Sequence, residues 1–203
     1  EITIKGKGSH AAHPHQGADP IVTGAEIVTA LQRIISRSVN PIEAAVISVT
    51  QFHAGTNTNV IPETAIIKGT CRTLSGSVQD MIEARMEEVA TGIARAHGLT
   101  AEFTYDRRYP VLVNTKEETL KAIKAAQAVA GADNVSTDHP PTMGSEDFAW
   151  MLQHNPGCYI RVGNGEGEDG GCVVHNPNYD FNDEASVYGA SYWAALVEQE
   201  LSL

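Results

Sequence analysis

The chain has 203 residues, of which 42% are apolar, and a formal net charge of −11 from 14 Lys and Arg against 25 Asp and Glu. This length suits one large domain or two small ones, and the apolar share is sufficient for a hydrophobic core. No basic run occurs, which argues against nucleic acid and anionic membranes as partners. No apolar run approaches the ~18 residues that a membrane-spanning helix needs.

The chain opens directly on EITIKG, without an initiator Met and without a visible secretory leader. A fragment or a processed product would begin in this way. The cysteines at positions 71, 158 and 172 are odd in number and form no C-x-x-C pair. This usage favours a reducing, cytoplasmic location over a disulfide framework.

The first half of the chain predicts alternating strands and helices. Strands are expected where apolar and polar residues alternate or β-branched residues cluster, at residues 1–6, 44–52, 63–74 and 100–106. The first helix begins at Pro20, with Asp19 as N-cap, and continues through Ser38. The second begins after the cap Ser77 and runs to about His97, before Gly98. This β-α-β-β-α-β order is the ferredoxin-like unit, whose open sheet face or edge is a candidate pairing surface.

The second half predicts helices with hardly any strands. A boundary is expected at residues 110–114. The helices are expected at about 116–130, 145–154 and 183–201, and one strand at 157–163, followed by a Gly-rich loop at 163–171. Three helices around one or two strands do not complete an α/β sheet, so we expect the partner strands in an upstream segment.

Three histidines, His10, His13 and His15, crowd the loop GSHAAHPHQG. Imidazole is a common metal ligand, and it can also donate a hydrogen bond to a developing oxyanion. A polar surface loop with incidental histidines is the third interpretation. The residues alone leave all three open.

Two further candidates for binding are Asn59 and Arg72. Asn59 lies in the loop FHAGTNTN, beside His53 and Asn57, where an amide could orient a substrate amide or carboxylate; a Gly- and Asn-rich turn is the simpler interpretation. Arg72 interrupts an apolar strand, where its guanidinium needs a carboxylate partner. That partner could be a structural Glu or a substrate.

The segments MGSEDFAWM and VVHNPNYDFND carry the remaining candidates. Glu146 lies at the start of a predicted helix, where free backbone N–H groups attract anions; an ordinary capping arrangement explains the segment equally well. His175 follows an apolar pair and precedes Asp180 and Asp183, as a metal ligand with supporting carboxylates would. One His cannot form a metal site, since catalytic zinc needs at least three protein ligands.

No G-x-S-x-G elbow, P-loop or dinucleotide fingerprint is present. A serine hydrolase or a nucleotide-binding enzyme is therefore unsupported.

Four segments together resemble one family in order and spacing: GKGSHAAHPHQGADPI, FHAGTNTNVIPETAIIKGTCRT, PPTMGSEDFAWML and HNPNYDFNDEA. The family comprises the metal-dependent amidohydrolases, aminoacylases and carboxypeptidases, and the chain is most similar to the branch of hippurate and auxin-conjugate hydrolases. The resemblance implies that this is the downstream half of such an enzyme. It assigns residues 1–112 to a ferredoxin-like lid and dimerisation domain, and 113–203 to the C-terminal part of a zinc-exopeptidase-like α/β catalytic domain.

The resemblance also implies roles for single residues. His10 matches a catalytic lid histidine that stabilises the oxyanion, usually in the partner subunit's site. Asn59 and Arg72 match residues that hold the substrate carboxylate or scissile carbonyl, and Glu146 lies in the loop that lines the substrate pocket. His175 matches a metal ligand. The family's upstream C-G-H-D motif and its catalytic Glu-Glu pair have no counterpart here.

The implied reaction is metal-dependent hydrolysis of the amide bond of N-acyl amino acids, giving a carboxylic acid and an amino acid. The intact enzyme would be a homodimer joined through the lid and would hold two divalent metal ions, zinc foremost, with manganese, cobalt and nickel as alternatives. This chain alone is expected to lack a complete metal centre and to be inactive. The alternative function is a non-catalytic dimerisation or binding module derived from such an enzyme.

Overall fold

The computed structural model describes residues 1–166 and 171–201, and the chain divides into two compact units, Glu1–Val111 and Leu112–Leu203. The Gly-rich loop predicted at 163–171 lies partly outside the described residues. Among the residues that are described, no helix has the length and apolar character needed to cross a membrane.

The first unit contains a four-stranded antiparallel sheet and a separate two-stranded sheet. The strands are β1 (Ile2–Lys5), β2 (Ser9–His10), β3 (Ala45–Ala54), β4 (Val60–Ile61), β5 (Thr64–Thr73) and β6 (Thr100–Phe103). The large sheet has the order β3-β5-β1-β6, and β2 pairs with β4. Two helices, α1 (Pro20–Arg37) and α2 (Gly76–Ala96), follow the first and third strands of the large sheet. This confirms the ferredoxin-like prediction.

One face of the large sheet is buried under the two helices. Along β1, Ile2 and Ile4 are buried, whereas Thr3 is half-buried and Lys5 is exposed. This alternation follows from the two-residue period of a strand. The helices contribute buried residues such as Ile27 and Leu31 to the same core. Each such side chain stabilises the fold by roughly 1.5–3 kcal/mol on burial. The buried cluster consists of residues of the first unit alone.

The start of α1 follows the predicted capping chemistry. The Asp19 carboxylate accepts hydrogen bonds from the backbone N–H groups of Ile21, at 2.8 Å, and Val22, at 3.3 Å. Pro20 occupies the first helical position, where no N–H is needed. The Asp19 side chain therefore satisfies the free backbone N–H groups of Ile21 and Val22 at the start of α1.

The predicted start of α2 was wrong by two residues. Ser75, not Ser77, is the N-cap, and the hydroxyl groups of the two serines hydrogen-bond each other at 3.0 Å. Two capping residues two positions apart compete, and the sequence does not decide between them. The helix ends at Ala96, and Gly98 follows with φ +75°, as the stop signal predicted.

A β-bulge interrupts the pairing of β3 with β5 between Val49 and Gln51. Opposite it lies Gly69, where an added Cβ would collide with the Ser48 carbonyl oxygen and stand 3.0 Å from Val49 Cα. The bulge therefore requires the close backbone approach that only glycine permits.

Replacing Gly69 with Ala is expected to lower the free energy of unfolding by about 1–3 kcal/mol, because the atoms in the way are backbone and cannot turn aside. Urea denaturation of the chain measures this. Gly76→Ala is the control, since an added Cβ there meets nothing within 4 Å. Equal stability of the Gly69→Ala and Gly76→Ala variants would contradict the close approach.

The second unit consists mainly of three helices, α3 (Lys116–Ala130), α4 (Phe148–Leu152) and α5 (Glu184–Glu200). Helices α3 and α5 pack together around Ala122, Ala125 and Tyr192. Helix α4 is shorter than predicted, because the chain before Phe148 forms a turn.

The strand predicted at 157–163 is not a strand in the structure. It has no partner strand among the described residues, and side chains take the place of a ladder. The Asn114 side chain donates to the Tyr159 carbonyl and accepts from the Tyr159 N–H, each at 2.9 Å. The Thr115 hydroxyl donates to the Gly157 carbonyl at 2.9 Å and accepts from the Gly157 N–H at 2.8 Å. The apolar pattern of this segment is that of a strand, but a strand also requires a neighbouring strand to pair with.

Candidate functional site

The small sheet brings the backbones of His10 and Asn59 close together in the first unit. His10 pairs with Val60, and Ser9 pairs with Ile61. One residue further on, the Ala11 N–H donates to the Asn59 carbonyl at 2.9 Å. Two candidates that are 49 positions apart in the chain (59 − 10) therefore lie on one short ladder.

The loop that carries the histidines is closed at its base. Lys7 and Ala18 form an isolated bridge, with N–H to carbonyl distances of 3.0 and 2.9 Å in the two directions. Gly17 lies beside this closure, where an added Cβ would stand 2.6 Å from both the Lys7 carbonyl oxygen and the Ser9 hydroxyl. The closure presents His10 on a defined backbone rather than on an open loop.

The surroundings of His10 define which ring nitrogen carries its proton. The Ala12 N–H donates to His10 Nδ1 at 3.0 Å, so Nδ1 is the acceptor. In the neutral ring Nε2 then bears the hydrogen. The side chain is exposed. His10 therefore presents an N–H donor outward, as an oxyanion-stabilising group requires.

His13 lies beside the His10 ring and His15 lies beside the His13 ring. The ring centroids lie 5.7 Å apart for His10 and His13, and 6.1 Å apart for His13 and His15. All three side chains are exposed. Within residues 1–166 and 171–201, no group of three or more His, Cys, Asp or Glu side chains is placed to hold a metal ion.

Arg72 lies near the far end of β5, opposite Val46 of β3. It is exposed and lies on the open face of the sheet, on the same strand as Thr64, which pairs with Lys5 at the other end. The eight residue-to-residue steps from Thr64 to Arg72 span about 26 Å at ~3.3 Å per step. The structure therefore places Arg72 and the His10–Asn59 pair toward opposite ends of the sheet.

In the second unit, Glu146 lies in the turn before α4. The Tyr159 hydroxyl bonds its carboxylate and holds the pKa of Glu146 below its ordinary value, with the neighbouring Asp147 as the next cause. The Asp147 N–H also donates to a Glu146 carboxylate oxygen at 3.1 Å. The Tyr159 ring packs beside Phe148, with centroids 5.9 Å apart. These contacts tie the Glu146 carboxylate to Tyr159 and Asp147 and favour its ionised form.

Tyr159 was missed by sequence reasoning. It lies in the segment interpreted as a plain strand, and Asn114, which anchors its backbone, is distant in sequence. The only available signal was a polar aromatic residue within an apolar run, CYIRV, which is a weak indication.

His175 lies in a turn and is exposed. Its φ of +71° makes it the sole described residue other than glycine with a positive φ. The Asn176 N–H donates to the Val173 carbonyl at 3.2 Å across this position. A non-glycine residue in the left-handed region is strained, and such strain clusters at functional sites.

The carboxylates expected to support His175 do not form a cluster with it. Asp183 is the N-cap of α5. The Asp180 backbone carbonyl accepts from Asn164 Nδ2 at 2.8 Å, and the Asn182 N–H donates to Asn164 Oδ1 at 2.9 Å. The described residues therefore offer one candidate metal ligand in this unit and do not fit a complete metal centre.

Comparison with known proteins identifies the family. Residues 1–97 match the model of a peptidase dimerisation domain of the M20 group. The chain is 35% identical to N-acetylcysteine deacetylase of Bacillus subtilis over 97% of its own length and 50% of that protein. It is 32% identical to hippurate hydrolase of Campylobacter jejuni over 96% of its length and 50% of that protein.

Solved structures agree with these matches. A Bacillus subtilis dinuclear metal-binding peptidase of the M20 family superimposes with a TM-score of 0.69 at 31% identity, over 96% of this chain and 47% of that one. The chain spans about half the length of the curated relatives that it matches. It belongs to the M20 family of metallopeptidases and amidohydrolases.

Proposed function

We propose that the full-length enzyme hydrolyses the amide bond of N-acyl amino acids and that this chain supplies its lid and part of its catalytic domain. The proposal is supported by relatives whose names describe deacetylation of N-acetylcysteine and hydrolysis of hippurate, both amide cleavages. In it, residues 1–112 are the lid and 113–203 belong to the catalytic domain. The products are a carboxylic acid and a free amino acid.

The metal ions of the full-length enzyme, zinc foremost, would polarise the amide carbonyl and lower the pKa of the attacking water. The relative described as dinuclear supports two ions. His175 is the ligand that this chain would contribute. The described residues hold no group of three or more His, Cys, Asp or Glu side chains placed to bind a metal. The proposal therefore takes the other ligands, and with them the general base, from the rest of the full-length enzyme.

The observation that carries the proposal is the exposed His10 ring, whose Nδ1 accepts from the Ala12 N–H and whose backbone pairs with Val60 next to Asn59. A donor of this kind stabilises the charge that develops on the carbonyl oxygen during amide hydrolysis. Arg72 is suited to the substrate carboxylate, since a guanidinium binds a carboxylate with two parallel hydrogen bonds.

These groups act together only across two copies of the chain. About 26 Å of β5 separates the strand end near His10 from Arg72, which exceeds the size of an N-acyl amino acid. In the proposed two-fold dimer, His10 and Asn59 of one copy lie against Arg72 of the other. Glu146, whose carboxylate is bonded by the Tyr159 hydroxyl, is proposed to line the substrate pocket of the catalytic domain.

The homodimer forms through β3, the edge strand of the large sheet. At ten residues β3 is the longer edge, whereas β6 at the other edge has four. An exposed edge presents unpaired backbone groups that pair with a second strand. The match of residues 1–97 to a dimerisation domain supports this assignment.

The free cysteines support a cytoplasmic location.

An assay of the 203-residue chain tests whether this part of the enzyme can hydrolyse an N-acyl amino acid alone. With added zinc or manganese, the chain is expected to release no amino acid from an N-acyl amino acid such as hippurate, because its described residues cannot hold the metal. The positive control is the full-length enzyme under the same conditions. Metal-dependent turnover by the 203-residue chain would overturn the claim that further ligands are required. Inactivity of both proteins would favour a dimerisation or binding module instead.

A further inference from the structure

A cleft of about 390 Å³ lies between α1 and α2 in the first unit. On the α1 side it is lined by Ala30, Arg33, Ile34 and Arg37, which share one helix face because they follow the i, i+3, i+4, i+7 spacing. The α2 side repeats this spacing from Arg85 to Gly92. This cleft involves none of the candidate catalytic residues.

The floor of the cleft is apolar and has room for a ligand. Ile34 is buried, and Val89 and Ile93 are half-buried beside it. Gly92 faces open space, since an added Cβ there would meet nothing within 4 Å. A glycine inside a helix costs roughly 0.5–1 kcal/mol relative to Ala, so this notch is not explained by helix stability.

The rim of the cleft carries positive charge on an acidic chain. Three of the eight arginines line it, together with the single carboxylate of Glu88. Arg85 is paired with Glu88. Arg37 donates to the Ser36 carbonyl at 3.1 Å, and among the described residues Arg33 makes no hydrogen bond or ion pair. Two guanidinium groups, those of Arg33 and Arg37, are therefore not compensated by a carboxylate within the cleft.

We propose that this cleft binds an amphipathic carboxylate, a small molecule with an apolar body and one acid group. The apolar body lies over Ile34, Val89 and Ile93 and enters the notch at Gly92. The carboxylate meets Arg33 and Arg37, which bind it by charge-assisted hydrogen bonds. The volume is within the range of small-molecule sites. The inference stands apart from the proposed function, because it uses neither the metal nor the catalytic residues.

Isothermal titration calorimetry of the 203-residue chain with octanoate tests the site. One saturable site is expected, and Arg33→Gln and Arg37→Gln are each expected to weaken binding roughly tenfold, about 1.4 kcal/mol. The matched control is Arg95→Gln, an exposed arginine of α2 outside the cleft, which is expected to leave the affinity unchanged. Octylammonium and inorganic phosphate are expected to bind at least tenfold more weakly than octanoate.

A second variant keeps the test independent of the arginines. Gly92→Leu fills the notch and is expected to abolish octanoate binding without unfolding the chain, which thermal melting checks. Gly189→Leu in α5 is its control, because that glycine also faces open space. The proposal is overturned if octanoate does not bind, if phosphate or octylammonium binds equally well, or if Gly92→Leu or both arginine variants bind like the unmodified chain.

Discussion

Replacing His10 with Ala in the full-length enzyme is expected to lower kcat by about 10²–10³-fold, the effect of losing one oxyanion donor. The structure gives the reason, since Nδ1 accepts from the Ala12 N–H and leaves Nε2–H directed outward. Steady-state kinetics on an N-acyl amino acid measures the loss. Metal content, measured by atomic emission, is expected to remain unchanged, because His10 belongs to no metal-binding group.

His15→Ala is the matched control for this experiment. It removes an exposed imidazole from the same closed loop, two residues after His13, and leaves the His10 ladder with Val60 intact. His10→Gln is expected to recover part of the rate, since an amide also donates an N–H. An unchanged kcat in His10→Ala would remove His10 from the mechanism.

Replacing His175 with Gly in the full-length enzyme is expected to weaken metal binding by more than ~100-fold and to abolish turnover. That loss exceeds the 10- to 100-fold fall in metal affinity that is typical when the replaced residue supports a ligand and does not itself bind the metal. The fold is expected to retain its stability within about 1 kcal/mol, because a φ of +71° favours glycine over histidine. Metal titration and urea denaturation measure the two quantities separately.

The separation of these two quantities identifies the role of His175. His175→Asn is the companion variant, since Asn tolerates the left-handed conformation but lacks the imidazole. His139→Gly, at an exposed position in the same unit, controls for loss of a surface histidine. A His175→Gly enzyme with normal metal affinity would show that the strained turn is structural only.

The fold of the first unit could be predicted because its signals are local. Asp19-Pro20 marks the start of α1, and Gly98 marks the stop after α2. The segment 157–163 shows the limit of this reasoning. Its apolar pattern predicts a strand, but whether a strand forms depends on a neighbour, and the Asn114 side chain takes that place among the described residues.

The candidate site was less predictable, because its geometry depends on contacts between distant residues. The sequence identified His10 and Asn59 separately, but their adjacency arises from the pairing of β2 with β4. The remoteness of Arg72 follows from the length of β5, which no motif encodes. Tyr159 could not be predicted, because its hydroxyl contacts Glu146 from a segment that is separate in sequence from MGSEDF.

In the proposed homodimer, one active site takes His10 from one copy of the chain and Arg72 from the other. Mixing full-length His10→Ala and Arg72→Ala enzymes, each nearly inactive alone, tests it by subunit exchange. A mixed dimer then contains one site with both residues intact, so random exchange is expected to restore roughly a quarter of the unmodified activity. If subunits exchange, as native mass spectrometry would show, and activity does not return, both residues act within one copy and the account is contradicted.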